Sequence, residues 1–262
     1  MAVDQLQLLA LKNFPLVSPG DNLINLIIQN LGEQHMMLEP GDVLVVAQKV
    51  VSKAEDRYVA LNEIEPSEQA RQLAVEVDKD PRLVEVILRE SNSVVRHCPG
   101  VLIVEHKLGY VMANAGIDAS NIEHEASDTV ERVLLLPESP DDFAEQLRGR
   151  IVRLFGVNIA VVINDSVGRA WRNGTVGMAL GAAGLPALRD RRGEKDLFGR
   201  TLEVTEVALA DELASAASII QGEGDEGIPV VLLRGLDIAS MGKDTFNNGA
   251  TLLRPKDKDL FR

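Results

Sequence analysis

Carboxylate, hydroxyl and amide side chains gather in three segments that each follow an apolar stretch of the chain. Asp118 lies in an Asn-Ala-Gly-Ile-Asp-Ala-Ser-Asn stretch, and Asp165 and Ser166 come directly after a β-branched run. Glu223 lies in the glycine-rich residues 221–227. Oxygen donors of these types suit hard divalent cations such as Mg²⁺ or Mn²⁺, and glycine-rich backbone can approach a phosphate closely. The same residue types also form turns, helix caps and flexible acidic loops, so each segment taken alone leaves both interpretations open.

Positively charged side chains accompany the acidic segments. Arg169 and Arg172 follow Asp165 within a few residues, and their guanidinium groups could bind a phosphate or a carboxylate through two parallel hydrogen bonds. Lys53 follows a predicted strand and could reach a phosphate, although a solvated lysine beside an acidic neighbour is an equally good interpretation. The mixed-sign residues 189–196 are typical of a surface loop that could also bind an anionic substrate.

Composition excludes several classes of protein. The 262 residues carry a formal net charge of −13 and only 3% aromatic residues, so the chain is poorly suited to neutralise nucleic-acid phosphates or to stack on bases. The single cysteine excludes an intrachain disulfide framework and a zinc site built on several thiolates. Neither a Walker A loop nor a Gly-x-Ser-x-Gly elbow is present. The start of the chain carries no secretory signal and no apolar run is long enough to span a membrane, so we expect a cytoplasmic protein.

The apolar pattern alternates between strand-like and helix-like segments, which predicts an α/β protein of mixed α+β character with mixed sheets. The predicted strands are residues 43–46, 101–104, 110–112, 159–163 and 229–233, the second and third forming a hairpin. The predicted helices begin at Pro66, begin again after Asp80-Pro81, and cover residues 143–154 and 211–220. Residues 201–209 fit a strand or a helix, and we expect most of the acidic residues 123–142 to form a surface connection.

Taken together, these segments resemble the coenzyme F-420 γ-glutamyl ligase family from about residue 10 to residue 238. The resemblance rests on residues 41–46, 51–55 (Val-Ser-Lys-Ala-Glu), 114–121 (Asn-Ala-Gly-Ile-Asp-Ala-Ser-Asn), 165–174 (Asp-Ser-Val-Gly-Arg-Ala-Trp-Arg-Asn-Gly), 196–200 and 204–212. The stretches that contain Asp118 and Asp165 are the most specific of these.

The resemblance implies a GTP-dependent ligase. Such an enzyme adds L-glutamate to the carboxylate of the deazaflavin coenzyme F-420 precursor through an acyl phosphate, with further γ-linked additions. The resemblance also implies two divalent cations, Mg²⁺ or Mn²⁺, a possible K⁺ ion, a family-specific α/β fold of two intertwined subdomains, and a homodimer. On this basis we treat residues 1–245 as one catalytic unit, whose internal boundary the sequence does not place, and residues 246–262 as a polar C-terminal tail.

The resemblance also implies roles for individual residues. Asp118 and Asp165 match the ligands of one metal ion, and Ser166 and Glu223 match those of the second. Asp118, Asp165, Arg169 and Arg172 are the residues expected to carry the chemistry. The implied GTP contacts are Phe14, Pro15, Leu16, Val17, Lys53, Asn121, Gln221, Gly222, Gly224, Asp225 and Gly227.

The sequence departs from the family pattern at a few positions. Gln48 and Lys49 stand where relatives often carry small hydroxyl residues, so the preference for GTP over ATP stays open. Asn164 stands where threonine is common, and Val167 replaces a frequent aromatic residue or asparagine. Two alternatives therefore remain: an amide ligase of the same fold that uses another acid or amino acid, and a relative that binds nucleotide or metal without catalysis.

Overall fold

The computed structural model of the protein describes residues 5–122, 131–241 and 246–260. Its strands are β1 (Gln7–Ala10), β2 (Val43–Ala47), β3 (Tyr58–Ala60), β4 (Ser91–Cys98), β5 (Val101–His106), β6 (Val111–Ala113), β7 (Arg132–Leu134), β8 (Ala160–Arg169), β9 (Arg172–Ala183), β10 (Arg189–Asp190), β11 (Glu206–Val207) and β12 (Val230–Arg234). Its helices are α1 (Leu23–Glu33), α2 (Gln48–Ala54), α3 (Glu68–Val77), α4 (Pro81–Arg89), α5 (Pro140–Phe155) and α6 (Leu209–Gln221). The α/β class predicted from the sequence is confirmed.

A central sheet with the strand order β1-β12-β2-β8-β9 forms the main body of the protein. β2 and β8 run parallel, whereas the other neighbouring strands in this sheet are antiparallel. α1 and α5 cover one face and α6 covers the other, so the central strands are buried on both sides. Burial on both faces is the reason that residues 43–46 form an unbroken apolar run instead of an alternating pattern.

A smaller body packs beside the central sheet. α3 and α4 cover the β4-β5-β6 sheet, with Leu73 and Ile87 facing Leu102 in one apolar cluster. α4 begins directly after Asp80, as the sequence predicts, whereas α3 begins at Glu68, two residues after the predicted start at Pro66. The side chains of Ser67 and Asp80 accept hydrogen bonds from backbone N–H groups in the first turns and so fix both starts. The antiparallel β3–β7 pair packs against α4.

The prediction of a surface connection over residues 123–142 is wrong for its second half. Arg132–Leu134 form strand β7, Leu134 and Leu136 are fully buried, and α5 already begins at Pro140. Proline fits there because the first turn of a helix does not need its N–H group. Residues 123–130 lie outside the described residues.

The strand predicted at residues 159–163 continues much further than expected. β8 runs to Arg169 and pairs with β9 as a long antiparallel hairpin that turns at Ala170 and Trp171. Asp165 and Ser166 therefore lie within a strand and not in a loop after it. Residues 201–209 are largely irregular, with only Glu206–Val207 extended before α6 begins.

The C-terminal segment touches both bodies. Asp141 at the start of α5 accepts hydrogen bonds from the backbone N–H groups of Gly249 and Ala182, which fixes the segment to β9. Lys256 forms an ion pair of 2.8 Å with the buried Glu105 of β5. In the described part of the chain, none of the helices has the length and apolar character needed to cross a bilayer.

Candidate active site

A cavity of about 470 Å³ opens where the parallel pairing of β2 with β8 ends, at Ala47 and Asn164. Ligands bind at the carboxyl ends of parallel strands in open α/β sheets because the loops there leave a crevice between the strand ends. The cavity is lined by Phe14, Pro15, Leu16, Val17, Ala47, Gln48, Lys49, Val50, Lys53, Asp118, Ser120, Asn121, Asn164, Asp165, Ser166, Thr175, Ser218, Gln221, Gly222, Glu223, Gly224, Asp225, Gly227, Ile228 and Pro229.

Backbone pairing brings the acidic segments to the cavity. Asp118 exchanges two backbone hydrogen bonds with Leu134, of 2.9 and 2.8 Å, so the newly identified β7 region positions this carboxylate. Asp165 is placed by the outer part of β8, opposite Met178 of β9. Glu223 follows the C-terminus of α6, where Gly222 adopts φ 70°. This turn favours glycine, because side chains with a Cβ atom rarely adopt φ 70° together with ψ −178°.

The carboxylates in the cavity lack full charge compensation. Burial, followed by repulsion from Asp118, raises the pKa of Asp165 to about 7. Burial also raises the pKa of Asp118, against the opposing effect of Lys49, whose Nζ lies 3.4 Å from Asp118 Oδ2. The hydroxyl of Ser166 donates a hydrogen bond of 2.6 Å to Glu223 Oε1. A divalent cation would relieve the repulsion between these acidic side chains.

The donors fit a partly protein-bound Mg²⁺ or Mn²⁺. In residues 5–122, 131–241 and 246–260, no three His, Cys, Asp or Glu side chains lie close enough to hold one ion by themselves. Mg²⁺ is usually bound by one or two carboxylates and completes its shell with water and substrate phosphate. Asn164 Oδ1, which is buried beside the cavity, accepts no hydrogen bond from the described residues. The residues present thus supply part of the shell of such a cation, and water or substrate phosphate would complete it.

The structure collects most of the residues singled out in the sequence into this one cavity. Every implied metal ligand and every implied nucleotide contact lies in its lining. Arg169 and Arg172 do not: they lie at the exposed tip of the β8–β9 hairpin, where Arg169 Nη1 donates a hydrogen bond of 3.1 Å to the carbonyl of Gly174.

Buried amides contribute to the site in ways that the sequence did not reveal. Asn164 Nδ2 donates a hydrogen bond of 2.6 Å to Gln221 Oε1, and Gln221 Nε2 donates one of 3.2 Å to the carbonyl of Pro229. The side chain of Gln221 therefore supports the loop that follows α6. Gln48 is 1% exposed and contacts Asp118. The position of Gln48 directly after a buried strand was the available signal for this contact.

Comparison with known proteins gives a consistent family. The family described as F420-0:Gamma-glutamyl ligase matches residues 12–235. A protein of Methanopyrus kandleri named coenzyme F420:L-glutamate ligase is 47% identical over 246 residues, which cover 94% of this chain and 93% of the relative. Proteins of the same name from Methanothermobacter thermautotrophicus and Archaeoglobus fulgidus are 42% and 41% identical and share 98% of this chain. The matched segments cover 99% and 97% of those two relatives. The chain belongs to the F420-0:γ-glutamyl ligase family.

Proposed function

We propose that this protein ligates L-glutamate to the carboxylate of the deazaflavin coenzyme F-420 precursor, with GTP as the phosphoryl donor. The observation that carries the proposal is the convergence of Asp118, Asp165, Ser166 and Glu223 with a glycine-rich loop in one cavity. The name of the relatives, coenzyme F420:L-glutamate ligase, supports L-glutamate and an acid of the F420 type as the substrates.

The proposed chemistry activates an acid that does not react with an amine at neutral pH. An oxygen of the substrate carboxylate attacks the γ-phosphorus of GTP, the bond to the β,γ-bridging oxygen breaks, and GDP leaves. The glutamate nitrogen then attacks the acyl carbon, the bond to the phosphate oxygen breaks, and inorganic phosphate leaves with the electron pair. The glutamate ammonium gives one proton to solvent before the attack, so that the free amine is the nucleophile, and the second proton lost from the nitrogen is taken up by the released phosphate. The product is an amide, and further γ-linked additions repeat the two steps.

The acidic cavity constrains how a triphosphate can be held. Two divalent cations, bound by Asp118 and Asp165 and by Ser166 and Glu223, would neutralise the phosphate oxygens during transfer. A K⁺ ion is part of the same proposal, without an assigned ligand. Lys53 lines the cavity and supplies positive charge to the phosphates.

The remaining lining residues position the nucleotide. Asn121 Nδ2 donates a hydrogen bond of 3.0 Å to the carbonyl of Gly224, which ties the segment after Asp118 to the glycine-rich loop. Residues 14–17 form the apolar side of the cavity, with Val17 in the core and Leu16 86% exposed. We propose that this apolar side packs against the base and ribose, while the loop presents its backbone N–H groups to the phosphates.

The proposal extends to the acid substrate and the assembly. Arg169 and Arg172 at the hairpin tip are proposed to bind the anionic groups of the acid substrate, which must extend out of a cavity that holds the nucleotide. Guanidinium groups suit the binding of the acid substrate because they can form two parallel hydrogen bonds to a carboxylate or a phosphate. We also propose that the protein is a cytoplasmic homodimer.

Mass spectrometry of the reaction products tests the proposed function. The protein is incubated with the deazaflavin precursor, L-glutamate, GTP and Mn²⁺, with parallel reactions that contain ATP, other amino acids or other acids. We expect glutamyl adducts, GDP and phosphate. Products formed only from another acid or amino acid would indicate the alternative amide ligase. Binding of GTP without any adduct or hydrolysis would indicate a non-catalytic relative.

A further inference from the structure

Gln48 is a buried part of the cavity lining, and hydrogen bonds at both ends of its amide fix the orientation of the side chain. It is the first residue of α2, directly after β2, and its side chain is 1% exposed. Its Nε2 donates a hydrogen bond of 2.9 Å to Asp118 Oδ2. Its Oε1 accepts a hydrogen bond of 2.9 Å from the hydroxyl of Ser52, one helical turn further along. The carboxylate requires the NH₂ end of the amide, and the Ser52 hydroxyl supplies the proton for the other end.

Both polar contacts of the Asp118 carboxylate with α2 fall on the same oxygen. Lys49 Nζ lies 3.4 Å from Oδ2 and also donates a hydrogen bond of 3.2 Å to the carbonyl of Ser120. Gln48 and Lys49 thus approach Oδ2 from consecutive residues of one helix. An ionised carboxylate offers about four lone-pair positions on its two oxygens, so the lone pairs of Oδ1 stay available to a ligand.

We propose that Gln48 is a positioning residue that fixes Asp118 so that Oδ1 faces the cavity as a one-oxygen donor to a divalent cation. The inference rests on the proposed function in assigning Asp118 to a cation. Gln48 suits this task because a neutral amide orients the carboxylate without adding a second positive charge to that of Lys49 beside the same oxygen. Ser52 acts one step further away by fixing the amide of Gln48.

A binding measurement separates this role from a general effect on the fold. The Gln48→Met variant keeps an unbranched side chain but removes the N–H donor to Asp118. The concentration of free Mn²⁺ is measured by electron paramagnetic resonance while Mn²⁺ is titrated into the protein without nucleotide. Because the loss of a partner that orients a metal ligand weakens metal binding about 10- to 100-fold, we expect the Mn²⁺ dissociation constant to rise by about tenfold or more. Ser52→Ala, which leaves the contact to Asp118 in place, is expected to raise it by less than about threefold.

Two reference variants make the result specific. Asn247→Ala removes a comparable amide bridge, to the backbone of Leu188, from a position outside the cavity lining, and it should leave the Mn²⁺ affinity unchanged. Asp118→Asn should weaken Mn²⁺ binding by itself, and Gln48→Met should add less than its full single-variant loss in that background, because much of the effect of Gln48 acts through Asp118. Gln48→Leu serves as the second apolar replacement if the methionine variant does not fold.

The outcomes decide the proposal. A folded Gln48 variant that binds Mn²⁺ within about twofold of the unchanged protein would overturn it. Equal weakening by Asn247→Ala, or full additivity with Asp118→Asn, would also overturn it, since either result indicates general destabilisation. If the unchanged protein forms no amide product but binds Mn²⁺ in a manner that depends on Gln48 and Asp118, the proposed ligase function fails while the positioning role stands.

Discussion

Glu90 and Asp165 each lie in a largely buried cluster of polar side chains, but their neighbours shift the two pKa values in opposite directions. Glu90, at the end of α4, lies 3.7 Å from His106 Nε2 and 3.2 Å from both Lys107 Nζ and Arg57 Nη2. Of these neighbours, His106 has the largest effect, and together they lower the pKa of Glu90 to about 2. Asp165 has another carboxylate as its main charged neighbour, and its pKa is raised.

The difference between the Glu90 cluster and the cavity teaches what each is for. Around Glu90 the protein balances the charge with its own side chains, which joins α4, β5 and the segment before β3 into one unit. In the cavity Lys49 balances the carboxylates only in part, at a cost in stability that a bound cation would offset. Removal of a charge from the Glu90 cluster should therefore lower stability, whereas removal of a carboxylate charge from the cavity should lower activity.

Asp165→Asn gives the largest expected effect. Turnover should fall by at least about 10²-fold, because the contribution of a bound metal ion to transition-state stabilisation is several kcal/mol. Stability without metal should not decrease, since one of two repelling carboxylates becomes neutral. Initial rates at saturating Mg²⁺ and denaturant unfolding are the measurements. A variant with nearly the full rate would contradict the assigned metal role.

Glu90→Gln should give the reverse result. Three charged or polar partners lose their acceptor charge, so the free energy of unfolding should drop by about 2–3 kcal/mol, which is near the lower end for breaking a buried ion pair. The rate per folded molecule should be unchanged, because Glu90 does not line the cavity. Denaturant unfolding at neutral pH measures the first quantity. An activity loss at constant stability would show that the contrast between the two clusters is mistaken.

A lower pH should remove the contribution of the ionised Glu90 to the stability of the fold. Its pKa is about 2 in the folded protein against an ordinary value of 4.5, so its ionised form stabilises the fold. This stabilisation is complete above the ordinary pKa and disappears as the pH falls towards the folded value. The stability difference between the unchanged protein and Glu90→Gln should therefore shrink from pH 5 to pH 2, as followed by unfolding at each pH. A constant difference would indicate that packing, and not charge, explains the effect.

Arg172→Ala should have a moderate effect confined to the acid substrate. Loss of one charge-assisted hydrogen bond should lower kcat/KM for the acid about tenfold while the KM for GTP is unchanged. Arg169→Ala is expected to cost slightly less, because Arg169 also contacts the hairpin backbone. Steady-state kinetics with each substrate varied in turn provide the test. Equal changes in both KM values would assign the hairpin tip to something other than the acid.

Arg71→Ala provides the baseline for these comparisons. Arg71 pairs with Glu65 on the surface, where both side chains are at least half exposed. Exposed ion pairs contribute little, so the free energy of unfolding should change by less than about 0.5 kcal/mol. A larger change in the same denaturant assay would mean that the effect of Glu90→Gln cannot be attributed to burial.

The sequence predicted the elements that carry strong local signals. Patterns that span only a few residues predict the apolar strand at residues 43–46, the helices after Ser67 and Asp80, and the carboxylates that follow apolar segments. Long-range pairing gave no such signal. β7 is short and lies in an acidic stretch, and its strand conformation depends on its pairing with β3 and the burial of Leu134.

The site shows the same division between local and long-range information. Asp118, Asp165 and Glu223 could be singled out by residue type, whereas the contact between Gln48 and Asp118 joins residues 70 positions apart and required the fold. The polar sequence after Asn164 resembled a loop because its strand conformation depends on β9. Its exposed outer end is stabilised by cross-strand pairing and not by burial.

The parallel pairing of β2 with β8 also has a kinetic consequence. Val43 pairs with Ala160, which lies 117 positions further along, so a segment nearly half as long as the chain must form a closed loop before the two strands meet. Contacts this distant in sequence form late, because the entropy of closing the intervening loop is lost before the contact stabilises the chain. Helical signal should therefore return early during refolding, and the capacity to bind Mn²⁺ should return only in the slowest phase.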